Sequence, residues 1–160
     1  MMNPLKCLIR CLVMSRNRST AAHCILPLSK ITCATVLMDA SAPDAEATSG
    51  AVKQFFDYLN IRLRLYKPSP RDLNIAGCLK RSYRGEPLPA SETELFVSLL
   101  DNEDNFLSDY ESSHSTAAFK VGRRQISGNV FDMVITSPAG EVSSQSAVFV
   151  AVKDYLSKIR

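Results

Sequence analysis

No aspartate or glutamate occurs before Asp39, whereas Lys6, Arg10, Arg16, Arg18 and Lys30 all fall in that stretch. Folded surfaces ordinarily mix both signs, so this asymmetry divides the chain into two materials before any element is placed. Leu5, Leu8, Ile9, Leu12 and Val13 recur at helical spacing with Lys6 and Arg10 toward the other side, which predicts a basic amphipathic helix. Acid-poor, Arg- and Ser-containing amphipathic composition is that of a mitochondrial presequence, and Arg10, Leu12 and Ser15 have the spacing of a two-step presequence cleavage site. A secretory signal read from Met14 would use Arg16 and Arg18, the apolar Ile31 to Met38 and the small residues Ala40-Ser41-Ala42, with Pro43 opposing cleavage. The remaining alternative is translation from Met14 or Met38 after a mis-extended start. The organisation expected is therefore an N-terminal segment over 1–38, a linker over 39–49 and one globular domain over 50–160. Mitochondrial and cytoplasmic locations both fit it, and secretion is less favoured.

A chain of 160 residues with 46% hydrophobic content suits one domain with a real core. The net charge of +3 is too small for nucleic-acid binding to follow from the total, so the layout of charge matters more than its sum. The five cysteines, at 7, 11, 24, 33 and 78, form neither an even set nor a CxxC pair, and free thiols are expected rather than a disulfide framework or zinc knuckle. Arg10, Pro27 and Lys30 interrupt the early apolar residues, so no run approaches the roughly 20 needed to span a bilayer.

Beyond the linker, Val52, Phe55, Phe56 and Leu59 make a helical face to about Asn60, and Ile61 to Leu65 alternates with period two as a short strand would. Ser69-Pro70-Arg71-Asp72 has the capping-box pattern and predicts a second helix running to Arg84 and stopping at Gly85. Ser91-Glu92-Thr93-Glu94 is a second such pattern and predicts a third helix fraying near Ser112, its apolar side carrying Phe96, Leu99, Leu100, Phe106 and Leu107. Phe119 to Ile126 and Val130 to Thr136 flank Ser127-Gly128-Asn129 as the arms of a β-hairpin, closed by Pro138-Ala139-Gly140. A last helix begins at Ser143 or Ser144 and carries Val148, Val152, Tyr155 and Ile159 on one stripe. These elements predict an α+β fold: a mainly helical small domain of about four helices with one antiparallel β-hairpin in its C-terminal half.

Charge is segregated along this domain. Residues 60–84 hold Arg62, Arg64, Lys67, Arg71, Lys80, Arg81 and Arg84 against Asp72 alone, whereas residues 85–119 hold eight acids and no Lys or Arg. One reading is that the basic and acidic stretches solvate and steer one another, each exposed pair contributing about 0–1 kcal/mol. The other is a binding surface: a non-enzymatic adaptor, assembly or regulatory protein whose acidic face, Glu92, Glu94, Asp101, Glu103, Asp104 and Asp109, captures a protein partner. The alternative from another class is an RNA- or phosphate-binding module that uses the basic cluster, with Tyr66 and Tyr83, extended by Lys120, Arg123 and Arg124. Specific DNA readout is disfavoured, because the helix that would enter the groove is acidic.

Catalytic chemistry has little to stand on. The pattern Asp101, Glu103, Asn105, Asp109 lacks the glycine and the terminal acid of a calcium loop, with Phe106 and Ser112 in their places. After the linker the one histidine is His114, expected in a loop, and a Cys78–His114 arrangement has nothing in the spacing to bring it together. No GxGxxG, P-loop, HExxH or GxSxG occurs, so no catalytic residue, metal site or cofactor is assigned.

Overall fold

Leu63 and Leu65 alternate with Arg62, Arg64 and Tyr66, and that period does form a strand, Arg62–Tyr66. The same period governs three other segments. In a computed structural model that describes residues 3–16, 18–101, 105–137 and 143–160, the chain forms helix α1 (Pro4–Ser15), strand β1 (Cys33–Leu37), α2 (Ala45–Tyr58), β2 (Arg62–Tyr66), α3 (Arg81–Arg84), β3 (Glu94–Ser98), α4 (Phe106–His114), β4 (Phe119–Gly122), β5 (Met133–Val134) and α5 (Gln145–Lys158). Every neighbouring pair in the sheet is parallel, in the order β2-β1-β3-β4-β5. This is an α/β fold with an open, doubly wound sheet, not a mainly helical domain with an antiparallel hairpin.

The two sheet faces differ. Ala34 and Val36, Leu63 and Leu65, Leu95 and Val97, and Phe119 and Val121 make one apolar face on which α2 and α5 pack. Phe55 meets Phe56 and Phe149 edge-on there, with ring centroids 5.1 and 5.9 Å apart. The opposite face is mixed: Leu37 and Phe96 join a smaller core with Leu79, Leu107 and Phe131, but on the same face stand Thr35, Arg64 and Lys120 at one register level and Glu94 one step before them. The α4 helix and the 70–84 excursion lie on that side.

Three sequence expectations give way for identifiable reasons. The third helix was to start at Ser91, but Leu95, Phe96 and Val97 are buried on alternating faces, which only a strand allows, and the helix shrinks to Phe106–His114. The second helix becomes one 3-10 turn, Pro70–Asp72, plus α3. Its capping box is real, since the Ser69 backbone N–H and hydroxyl both donate to the Asp72 carboxylate at 2.7 Å. Asn74 then caps the following loop, its side chain accepting from the N–H groups of Ala76, Gly77 and Cys78, and no second turn of helix forms. The hairpin arms exist as β4 and β5, yet they pair in parallel, and the turn at Gly128 (φ +96°) and Asn129 (φ +50°) sits inside a crossing loop. Gly122 admits the close approach this needs: a Cβ there would lie 2.6 Å from the Phe131 ring.

Residues expected to precede the domain also carry core. β1 lies between β2 and β3, and Cys33, Ala34, Val36 and Leu37 are all 0% exposed. α2 begins at Ala45, within the stretch expected as a linker. The expected turn at Pro138-Ala139-Gly140 lies outside the described residues. No helix among the described residues is long and apolar enough to cross a membrane.

Candidate functional site at the carboxyl edge of the sheet

In an open parallel sheet the strands end on one edge, and the connections leaving β1 and β3 depart to opposite faces. The strand order reverses between those two strands, so their diverging loops leave a gap. Here the gap is a crevice of about 860 Å³. Its floor is Met38, Leu99 and Leu107, and Ala40, Ala42, Pro43, Pro68, Pro70 and Leu73 continue the apolar lining.

The polar groups on its wall are already ordered. Gln145, the first residue of α5, accepts from the Asp39 N–H at 2.7 Å and donates to the Asp39 carbonyl at 3.0 Å. Asp44 precedes α2, but its carboxylate accepts from the Ser146 N–H of α5 at 2.7 Å, so one acid joins both helix starts. Ser144 and Asn105 cap α5 and α4 through their side chains. Arg123 is buried behind the crevice and donates to the carbonyls of Leu99 and Ser143 and, at 2.7 Å, to Asp101. Burial pushes the Arg123 guanidinium below its ordinary range, and Asp101 opposes that shift. With α4 and α5 capped and the arginine spent, the crevice is lined by Asp39, Asp44 and Asp101 and by no uncommitted cation among the described residues.

The charged residues expected to form binding faces are largely spent on one another. Arg62 pairs with Glu92, Lys67 with Glu46 at 3.0 Å, Arg84 with Glu111 at 2.6 Å, and Arg124 with Asp109 at 3.1 Å. Arg64 donates to the Tyr66 hydroxyl and to the Arg84 carbonyl. Glu94, expected on an exposed acidic helix, is a strand residue that accepts from the Thr35 hydroxyl; burial pushes its carboxyl up, against that hydrogen bond and the charges of Arg64 and Lys120. Lys120 is buried and donates to the Ser112 carbonyl, and burial pushes its ammonium down. Glu103 and Asp104 lie outside the described residues. Arg71, Lys80 and Arg81 stay exposed and enter no ion pair among the described residues.

A second cavity, about 450 Å³, opens over the mixed face of the sheet among Thr35, Arg64, Arg84, Glu94, Glu111 and His114. The Arg84–Glu111 pair forms part of its wall, and desolvation pushes the Glu111 carboxyl up while Arg84 draws it back. His114 closes α4 instead of lying in a loop. Burial pushes the Cys78 thiol up to about 11, away from the thiolate a nucleophile needs. No group of three or more His, Cys, Asp or Glu placed to hold a metal occurs among the described residues.

The crevice is what sequence reasoning missed. Its residues come from separate connections along the chain, and no one local motif joins them. Asp39 and Gln145, 106 positions apart, meet only because β1 and α5 do. Compared with known proteins, the chain matches no family model, no curated protein and no solved structure.

Proposed function

We propose that this chain is a binding domain for a small organic ligand seated in the crevice at the carboxyl ends of β1 and β3. The observation that carries the reading is the cavity of about 860 Å³ at the point where the strand order reverses, the place where doubly wound sheets take ligands. The lining selects the ligand's chemistry. An apolar body fits the Met38, Leu99 and Leu107 floor, and a neutral or cationic polar group fits a rim of Asp39, Asp44 and Asp101. A phosphate would meet three carboxylates, and the starts of α4 and α5 are already capped.

Titration with a neutral apolar dye such as Nile red, followed by competition with amine-bearing fragments, tests this. Saturable binding that shifts the amide resonances of residues 39–44 and 145–147, and that is lost in Ala42→Trp, is expected. Binding unaffected by Ala42→Trp in a folded variant would overturn the assignment.

A second reading, docking of an acidic protein segment, is favoured by the cluster of Arg71, Lys80 and Arg81, where the Lys80 ammonium donates to the Arg71 carbonyl at 2.6 Å and all three side chains face solvent. This keeps the adaptor role but moves it from the acidic stretch to the basic one. Triple replacement of these residues by Glu should abolish capture of a polyglutamate-rich peptide while leaving dye binding unchanged. Retention of RNA in place of the peptide, with a steep salt dependence, would assign the same cluster to phosphate contact instead.

A further inference from the structure

The α1 helix lies on the domain with Ile9, Arg10, Val13 and Met14 partly buried on its inner side. Arg10 donates through Nε to the Ala76 carbonyl at 3.0 Å, and its guanidinium stands 4.7 Å from the Phe106 ring centroid. Just past the helix, the Arg16 carbonyl meets His114 Nε2 at 2.6 Å, and the Ser19 N–H donates to the Ser113 carbonyl at 3.0 Å. Those contacts fix one side of the helix to α4 and the 74–78 loop. The side turned away carries Leu5, Leu8 and Leu12, at spacings of three and four, and they are 62%, 57% and 49% exposed. Nothing in α1 is buried. Ile75, 85% exposed, stands one residue from the carbonyl that anchors Arg10.

A stripe of three leucines directed at solvent, on a helix whose other side already rests on the domain, is an apolar surface with an absent partner. The charge around it states what that partner is. Lys6 and Arg16 are exposed on and beside the helix, and the helix itself carries no acid. We infer that α1 docks the protein on an anionic bilayer surface, the leucine stripe entering the headgroup boundary and the flanking basic side chains meeting lipid phosphates. Its 12 residues extend about 18 Å, short of the roughly 30 Å hydrocarbon core, so the helix lies on the membrane and does not cross it.

The test is flotation of the full chain with vesicles of phosphatidylcholine alone and of phosphatidylcholine mixed with phosphatidylglycerol. Recovery with the mixed vesicles should exceed recovery with the neutral ones by more than about tenfold and fall as salt is raised. Replacing Leu5, Leu8 and Leu12 together by Ser should abolish recovery while lowering the melting temperature by no more than a few degrees, because these side chains are about half or more exposed. Lys6→Glu with Arg16→Glu keeps the stripe intact and should remove the preference for anionic lipid. Undiminished recovery of the serine variant, or equal recovery on both vesicle types, would overturn the inference. So would a dimer in vesicle-free solution that the serine variant dissolves, since the stripe would then belong to a second copy of the chain.

Discussion

Gln145 and Asp39 exchange two hydrogen bonds across the carboxyl edge of the sheet: the Asp39 N–H donates to Oε1 at 2.7 Å, and Nε2 donates to the Asp39 carbonyl at 3.0 Å. The amide plane of one side chain thus substitutes for a strand neighbour at the point where β1 ends, and it holds the start of α5 against that end. Gln145 is 5% exposed, so both bonds are shielded. Truncation to Ala should cost about 1–3 kcal/mol, the price of leaving buried backbone groups without partners. Gln145→Glu should cost as much, because a carboxylate cannot donate to the Asp39 carbonyl. Urea unfolding measures both, and Gln145→Ala should also weaken dye binding in the crevice. An unchanged midpoint for both variants would mean that water replaces the amide without penalty.

Asp101 and Arg123 make a second tie at the same edge. The arginine side chain is 3% exposed and the aspartate 47%. Removing the aspartate leaves a guanidinium shielded from water with, among the described residues, only the Leu99 and Ser143 carbonyls to accept from it. Asp101→Lys should therefore destabilise by about 1–3 kcal/mol. Reversal at this position is consequently a poor probe of partner capture, since a loss of binding would follow from loss of structure. Thermal melts of Asp101→Lys and Asp101→Asn separate charge reversal from loss of the hydrogen bond.

Glu94 supplies a pH dependence whose sign can be worked out. Burial raises its carboxyl above the ordinary 4.5, so the folded state holds the proton more tightly than the unfolded chain does. The slope of unfolding free energy with pH is then negative, and this group's contribution is fully present below about pH 4.5 and is lost as pH rises through the folded value. Glu94→Gln keeps an oxygen for the Thr35 hydroxyl and carries no charge. Melting temperatures followed from pH 4.5 to neutrality should fall less steeply in the variant than in the parent. Parallel curves would show that solvent reaches the carboxylate freely.

The legible parts of the fold were those with local causes. The stripe Val52, Phe55, Phe56 announces α2, Ser144 announces α5, and the alternation of Ile61 to Leu65 is compatible with β2 without deciding it against helix. The Ser69–Asp72 capping box was also real, yet a capping box closes the first turn of any helix, however short, and says nothing of its length. β3 is open to a helical reading because Phe96, Leu99 and Leu100 can be laid on a helical stripe as readily as Leu95 and Val97 can be laid on a strand face. Burial on both sides decided between the periods, and burial is a tertiary property. Charge segregation along the chain was correctly seen but does not survive as two faces, because parallel pairing of β1 with β2 and β3 brings basic 62–66 and acidic 92–94 into the same sheet.

β1 also bears on where the folded unit starts. Val36 and Leu37 are fully buried, and side chains of that size each contribute about 1.5–3 kcal/mol on burial. Ile31, Cys33, Ala34 and two sheet ladders add to them. Deleting residues 1–37 would therefore remove an amount comparable with the whole stability of a domain, about 5–15 kcal/mol, and would leave β2 and β3 with facing unpaired edges. A chain reduced to 38–160 should be insoluble or lack a cooperative melt. One reduced to 19–160 loses only α1 and the few residues after it, keeps the Ser19 and Cys24 backbone bonds to residues 113 and 118, and should melt cooperatively within a few degrees of the parent. Circular dichroism melts of the two truncations decide it: a cooperative, parent-like transition in 38–160 would mean that β1 is dispensable to the sheet.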